Sequence, residues 1–187
     1  MIGPVYAMML EIEIKSPIAD PDEIRNKLVI LGATHIKNVH QRDSYFSHPC
    51  RDFGITDEAL RIRQQEGNET LYYKGPKIDL ETKAREEIAL PLTNGEVMRT
   101  ILQRIGFIEV ISIEKDRYIY QLNNVEVALD YIEDLGNFVE LEIRDEDIEK
   151  GKNMIKEVMK SLGLEISERR SYLELLMERA RDQVASQ

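Results

Sequence analysis

The chain has 187 residues, of which 42% are hydrophobic and 32% charged, with a formal net charge of −10. That length suits one domain with a real core, and no apolar run approaches the ~20 residues that a membrane-spanning helix needs. The acidic balance argues against non-specific nucleic-acid binding and against docking on an anionic membrane, while leaving room for a local cationic cavity that takes a small anion.

Residues 1–8 read as an N-terminal extension with neither the basic region nor the length of a secretory signal, and Met8 or Met9 is a candidate start. Leu10 to Lys15 then alternates apolar and charged residues strictly, the period of a strand with one dry face and one charged face. Asp20 reads as an N-cap, with Pro21 at the first helical position, Glu23 completing a capping box, and Ile24, Leu28 and Leu31 at helical spacing before Gly32. Residues 34 to 47 form a second extended stretch. It is followed by an irregular segment to about Asp57, marked by Ser47, His48, Pro49 and Gly54. Ala59 to Gln65 and Thr70 to Lys74 read as a hairpin around Glu66-Gly67-Asn68-Glu69. Gly75-Pro76 breaks the second of these strands, and another strand is expected at Ala84 to Leu90.

Thr93-Asn94-Gly95-Glu96 is a second capping box, opening a helix whose apolar stripe is Val97, Ile101, Leu102 and Ile105 and which stops at Gly106. Strand character returns from Phe107 to Tyr120, turns at Asn123-Asn124, runs back over Val125 to Ile132, turns again at Asp134 to Asn137 and continues over Phe138 to Arg144. Two helices close the chain. One spans about Asp145 to Leu162, with Ile148, Ile155, Val158, Met159 and Leu162 on one face; the other begins near Ser167 and frays over 181–187. The pattern amounts to one domain with a core of about 9–177, eight strands and four helices. The single cysteine, Cys50, excludes an intrachain disulfide and fits a reducing, cytoplasmic compartment.

Charges at strand-alternating positions form a set. The carboxylates are Glu11, Glu13, Glu87, Asp130, Glu140 and Glu142; the cations are Lys15, Arg61, Arg63, Lys74, Arg85, Lys115 and Arg117. Any one of these strands alone is equally well read as a solvated surface face. Together they suggest a sheet curled around a charged interior, with apolar residues facing outward into helices. Burying so many ions is costly unless each is paired or liganded, so stability alone explains them poorly. The chemistry that needs both signs at once is phosphate chemistry with a divalent metal. Arg and Lys neutralise phosphate oxygens, and clustered carboxylates hold Mg²⁺ or Mn²⁺. The number of cations fits a triphosphate, and no glycine-rich phosphate loop competes for the role. The three histidines, His35, His40 and His48, are scattered without metal-ligand spacing. Asp43, Tyr45 and Phe46 read as a loop edge with two core aromatics.

These residues resemble the signature of the CYTH superfamily, the triphosphate tunnel metalloenzymes. The resemblance rests on Glu11-x-Glu13-x-Lys15, Arg61-x-Arg63, Lys74, Arg85 with Glu87, Lys115-x-Arg117, Asp130, and Leu135-Gly136-x-Phe138-Val139-Glu140-x-Glu142, in the family's order. Within it, Gln41-x-Asp43-x-Tyr45-Phe46, Ala59 to Arg63 and Ser171 to Leu176 look like the class IV adenylate cyclase branch. The resemblance implies an α+β fold: an eight-stranded antiparallel β-barrel tunnel with helices packed outside, often homodimeric. It implies Glu11, Glu13, Asp130, Glu140 and Glu142 as metal ligands for Mg²⁺ or Mn²⁺, with Glu87 a less certain member. Lys15, Arg61, Arg63, Lys74, Arg85, Lys115 and Arg117 become triphosphate contacts, and Lys15, Lys115 and Arg117 the catalytic candidates. Two reactions share such a clamp. One is cyclisation of ATP to cyclic AMP and pyrophosphate; the other is hydrolysis of inorganic triphosphate, thiamine triphosphate or a nucleoside triphosphate. A non-catalytic triphosphate- or polyphosphate-binding module is the third reading.

Overall fold

The computed structural model describes residues 10–78 and 82–185; the reading of residues 1–8 as an extension, and the last two residues of the frayed tail, lie outside them. Eight strands form one antiparallel sheet: β1 (Leu10–Ile18), β2 (Thr34–Ser47), β3 (Ala59–Gln65), β4 (Asn68–Lys74), β5 (Glu87–Leu92), β6 (Ile108–Leu122), β7 (Val125–Ile132) and β8 (Gly136–Asp145). Their spatial order is β1-β8-β7-β6-β2-β3-β4-β5. The sheet curls until its two ends meet, where the residues leading into β5 run beside β1. There the Arg85 N–H donates to the Glu11 carbonyl at 3.1 Å, the Glu11 N–H to the Arg85 carbonyl at 3.2 Å, and the Lys83 N–H to the Glu13 carbonyl at 3.0 Å. This seam explains why regular strand pairing with β4 starts at Glu87 rather than at Ala84. The preceding residues have left β4 for β1.

The helices lie outside, as alternation demands when the charged faces turn inward. They are α1 (Pro21–Ile30), α2 (Phe53–Thr56), α3 (Gly95–Arg104), α4 (Ile148–Leu162) and α5 (Tyr172–Ala185), one more than the sequence pattern gives. The extra one, α2, is a single turn capped by Asp52, whose carboxylate accepts from the Gly54 and Ile55 N–H groups. Asp20 caps α1 as expected, accepting from the Asp22 and Glu23 N–H groups, whereas the Glu23 carboxylate pairs with Lys27 instead of closing the box. On α3 the cap is Asn94, which accepts from the Val97 N–H, and the Glu69 carboxylate accepts from the Gly95 N–H.

The main core lies between the outer faces of β1, β7 and β8 and helices α1 and α4. It contains Ile12, Ile14, Leu28, Val127, Leu141, Ile155 and Leu162. Gly151 brings α4 against the sheet: a Cβ there would sit 2.4 Å from Ile12 Cδ1. A smaller core under α3 joins Phe46, Leu60, Ile62 and Leu102. Of the stripe expected on α3, only Leu102 is buried; Val97, Ile101 and Ile105 are 52%, 46% and 62% exposed. The helix is rolled so that Met98 and Leu102 face the barrel. A third cluster, with Tyr45, Ile113, Ile132, Phe138 and Tyr172, seats α5 on one end of the barrel. That helix begins at Tyr172 rather than near Ser167 because the Glu168 N–H donates to the Lys15 carbonyl, at 2.6 Å, extending the edge of β1.

Candidate active site

The curled sheet encloses a cavity of about 1200 Å³, larger than most small-molecule pockets. Every charged residue expected from the alternation lines it except Asp130, which is buried on the same inner face beneath Arg117 and Tyr172. Strand register sets the arrangement. Glu13 on β1 faces Glu142 on β8, which in turn faces Glu126 on β7; Lys15 faces Glu140 one pleat on. Arg61 and Arg63 lie opposite Tyr45 and Asp43 on β2.

One side of the cavity is rich in carboxylate. The Lys74 ammonium sits between Glu11, at 2.6 Å, and Glu87, at 3.0 Å, so one cation serves two anions. Glu87 also takes Arg144 at 2.6 Å, and Arg144 reaches Glu142 at 3.2 Å. Burial opposes ionisation of Glu87, but Lys74 and Arg61 prevail and hold its carboxyl down at about 2. Glu142 goes the other way. Burial, reinforced by the neighbouring Glu11 charge, pushes its carboxyl up to about 7.

The other side is rich in cations. Asp43 holds Arg63 through two bonds of 2.7 and 2.8 Å and Arg61 through one of 3.2 Å. Burial alone would raise the Asp43 carboxyl; the two guanidinium groups hold it well below the usual range. Both arginines also lie over the Tyr72 ring, 5.1 and 5.5 Å from its centroid. Arg117 grips Asp130 bidentately, at 2.7 and 2.6 Å, and pairs with Glu140. The Tyr172 hydroxyl donates to the same Asp130 at 2.9 Å, bringing α5 into the network. Lys15 is fully buried: its ammonium donates to the Arg170 carbonyl at 2.6 Å and stands 3.8 Å from the Tyr172 ring centroid. Burial and the adjacent Lys83 push its pKa down to about 7; burial and Arg117 bring Lys115 to about 8.

Two features show what this side lacks. Among the described residues, neither Lys15 nor Arg85 has a carboxylate within salt-bridge distance, although both are buried. The Nε atoms of Arg61 and Arg85 are buried without an acceptor. Buried donors left in this way fit an anionic ligand with several oxygens.

The implied divalent cation fits the carboxylate side by donor chemistry. Glu11, Glu13 and Glu142 bring hard oxygen donors together on adjacent strands, and the raised Glu142 carboxyl reports negative charge crowded enough to favour a cation. Among the described residues, no three such groups already stand at metal-binding geometry, because each carboxylate is held by an ammonium or guanidinium.

Asp43, Lys83, Glu126, Arg144 and Tyr172 belong to the cavity or its wall but not to the set drawn from the sequence. Four carry the same period-two signal. Asp43 continues Gln41-x-Asp43-x-Tyr45, Lys83 precedes Arg85-x-Glu87, Glu126 precedes Asp130 by four, and Arg144 follows Glu140-x-Glu142. Tyr172 has no such signal, since it arrives from a helix that packs across the end of the barrel. His48 lies at the mouth, where its Nδ1 accepts from the Cys50 N–H; His35 and His40 sit on the outer surface.

The CYTH domain model matches residues 9–172. A Methanocaldococcus jannaschii protein named "Putative adenylate cyclase MJ0240" is 45% identical over 172 residues, covering 89% of this chain and 98% of that protein. Adenylate cyclase CyaB of Aeromonas hydrophila is 29% identical over 170 residues, covering 87% of this chain and 86% of that one. Among solved structures, protein PH1819 of Pyrococcus horikoshii superposes with a TM-score of 0.84 at 38% identity, over 90% of this chain and 99% of its own.

Proposed function

The chain belongs to the CYTH domain family, and from that premise we propose that it is a metal-dependent enzyme that converts ATP to cyclic AMP and pyrophosphate inside the barrel. The observation that carries this reading is the pair of buried cations, Lys15 and Arg85, that share the cavity with no carboxylate within salt-bridge distance among the described residues. A stable fold gains nothing from two such charges; a triphosphate supplies the missing oxygens. The adenylate cyclase names of the two relatives favour cyclisation.

In this reading Arg61, Arg63, Arg85, Lys115, Arg117 and Lys15 bind the triphosphate chain. Asp43 and Asp130 fix the arginine forks so that their free N–H groups point into the cavity. Glu11, Glu13 and Glu142 hold Mg²⁺ or Mn²⁺, with Glu140 beside them. When bound, that cation lowers the pKa of the attacking 3′-hydroxyl and neutralises phosphate oxygens. Lys115 and Arg117 stand ready to take charge developing on the leaving pyrophosphate, and Lys15, with its depressed pKa, can hold or release a proton near neutrality. Lys74, paired with Glu11 and Glu87, keeps those carboxylates in place and is the triphosphate contact beside them. The reading also includes a homodimer, which sedimentation velocity checks directly.

The test is incubation of the purified protein with ATP, inorganic triphosphate or thiamine triphosphate, each with Mg²⁺ or Mn²⁺. Cyclic AMP with equimolar pyrophosphate is expected. Orthophosphate as the product would assign hydrolysis instead, and metal-dependent binding without turnover would reduce the protein to a binding module. Glu142→Ala is expected to lower metal-dependent turnover by at least a hundredfold with an unchanged circular dichroism spectrum; wild-type activity in that variant would sink the metal assignment.

A further inference from the structure

We propose that Lys83 is a phosphate-binding residue of this chain, acting beside Lys15 as an additional cation of the clamp. The inference rests on the reading that a triphosphate enters the barrel, and it adds a residue outside the charged set and the signature drawn from the sequence.

Lys83 lies on the seam, not on a regular strand. Its backbone is nonetheless fixed, because its N–H donates to the Glu13 carbonyl at 3.0 Å and the Arg85 N–H two residues on donates to Glu11. The side chain therefore enters the cavity from a held position, and the residue is only 3% exposed. Its ammonium donates to Glu13 Oε1 at 2.6 Å, and Glu13 lies two residues before Lys15 on the same face of β1, so the two lysines line the cavity as neighbours and the Lys83 charge acts on Lys15.

The balance of charge separates this pair from the other lysine of the cavity. At Lys74 one ammonium meets two carboxylates, Glu11 and Glu87, and the group is satisfied. Around Lys15 and Lys83, among the described residues, Glu13 pairs with Lys83, Lys15 has no carboxylate within salt-bridge distance, and Glu140, whose charge acts on both lysines, is engaged by Arg117. Two buried ammonium groups with one close ion pair between them repel each other, and both positions are held by the backbone bonds that join the seam to β1. A phosphate oxygen placed between the two ammonium groups removes the repulsion and accepts from both. Glu13 is released by the same exchange, because the ammonium that neutralised it has moved to phosphate.

The experiment measures binding of inorganic triphosphate by calorimetry in EDTA, so that neither metal nor turnover contributes. Lys83→Met is expected to bind about tenfold more weakly than the wild type, Lys83→Arg within threefold of it, and Lys150→Met, on the exposed face of α4, unchanged. A loss below threefold in Lys83→Met overturns the proposal, and so does an equal loss in Lys83→Arg, which would mean that shape rather than charge matters. A second comparison guards against misfolding and against a role as mere counter-ion. Glu13→Gln alone should bind triphosphate more tightly than the wild type, and adding Lys83→Gln to it should cost about tenfold; no difference between single and double variants overturns the proposal. If the wild type itself binds neither inorganic triphosphate nor ATP, the functional reading falls first and this inference with it.

Discussion

Asp43 shows how one residue can govern two others. Its carboxylate is the common partner of Arg61 and Arg63, it is 3% exposed, and no other acidic side chain among the described residues pairs with either arginine. Removing it leaves two buried guanidinium groups without an anion. Asp43→Ala is therefore expected to cost about 3–5 kcal/mol of stability, read from chemical denaturation. The pH dependence follows from the sign of the shift. The folded carboxyl lies below its unfolded value of 3.8, so its contribution is complete above that pH and drains away as pH falls through the lower folded value. Comparing acid unfolding of the wild type and Asp43→Asn tests this, because the variant should show the shallower loss of stability below about pH 4. The residue was readable as part of a period-two run, yet read alone it passed for a loop edge. Nothing in the local sequence says that its partners arrive from the next strand. Lys83 was hidden for another reason: it shares the alternation of Arg85 and Glu87 but lies ahead of β5, on the seam rather than on a regular strand.

At the scale of elements, the strands were legible and the helix faces less so. Alternation of charge and aliphatic side chain in Leu10 to Lys15 or Val139 to Ile143 survives folding because both faces of the sheet are used. Helical spacing on α3 allowed several faces, and the one that packs is decided by Phe46, Ile62 and Leu71 beneath it, which come from distant segments. The reverse holds for α4, where Ile155, Val158 and Leu162 are buried as the spacing suggests, and Gly151 is the point of closest approach to β1. Glycine in a helix interior ordinarily costs about 1 kcal/mol relative to alanine, so its place there marks a contact that a side chain would block. Gly151→Val should lower stability by about 1–3 kcal/mol through overpacking against Ile12, measured by thermal or urea unfolding. Because Ile12 lies between Glu11 and Glu13, the same variant should also disturb turnover; full activity with unchanged stability would contradict this packing.

For the molecule as a whole, the exterior and interior carry different signs of business. The chain is strongly acidic, with a formal charge of −10, yet its cavity gathers Lys15, Arg61, Arg63, Lys83, Arg85, Lys115 and Arg117. A ligand that neutralises these cations stabilises the folded state by mass action. At a hundred times its dissociation constant, inorganic triphosphate should add about 2.7 kcal/mol, or on the order of 5–10 °C in the unfolding midpoint of a chain this size. Differential scanning fluorimetry in EDTA measures it directly; no shift at saturating ligand would contradict an anion-binding interior.

The pairing of β1 with β8 has a consequence in time as well as in space. Glu13 meets Glu142, and Lys15 meets Glu140, across more than a hundred residues of intervening chain. Such long-range pairing is slow to form, because the loop must close before the contacts reward it. On the ribosome the delay is longer still. At about 5–20 residues per second, roughly 6 to 26 s separate the synthesis of the first half of the cavity from that of the second. During that interval the nascent N-terminal strand displays Glu11, Glu13 and Lys15 to water rather than to one another's partners. Its charges keep it dissolved while it waits for β8, so the alternation that later builds the cavity first serves to keep an unfinished edge from aggregating.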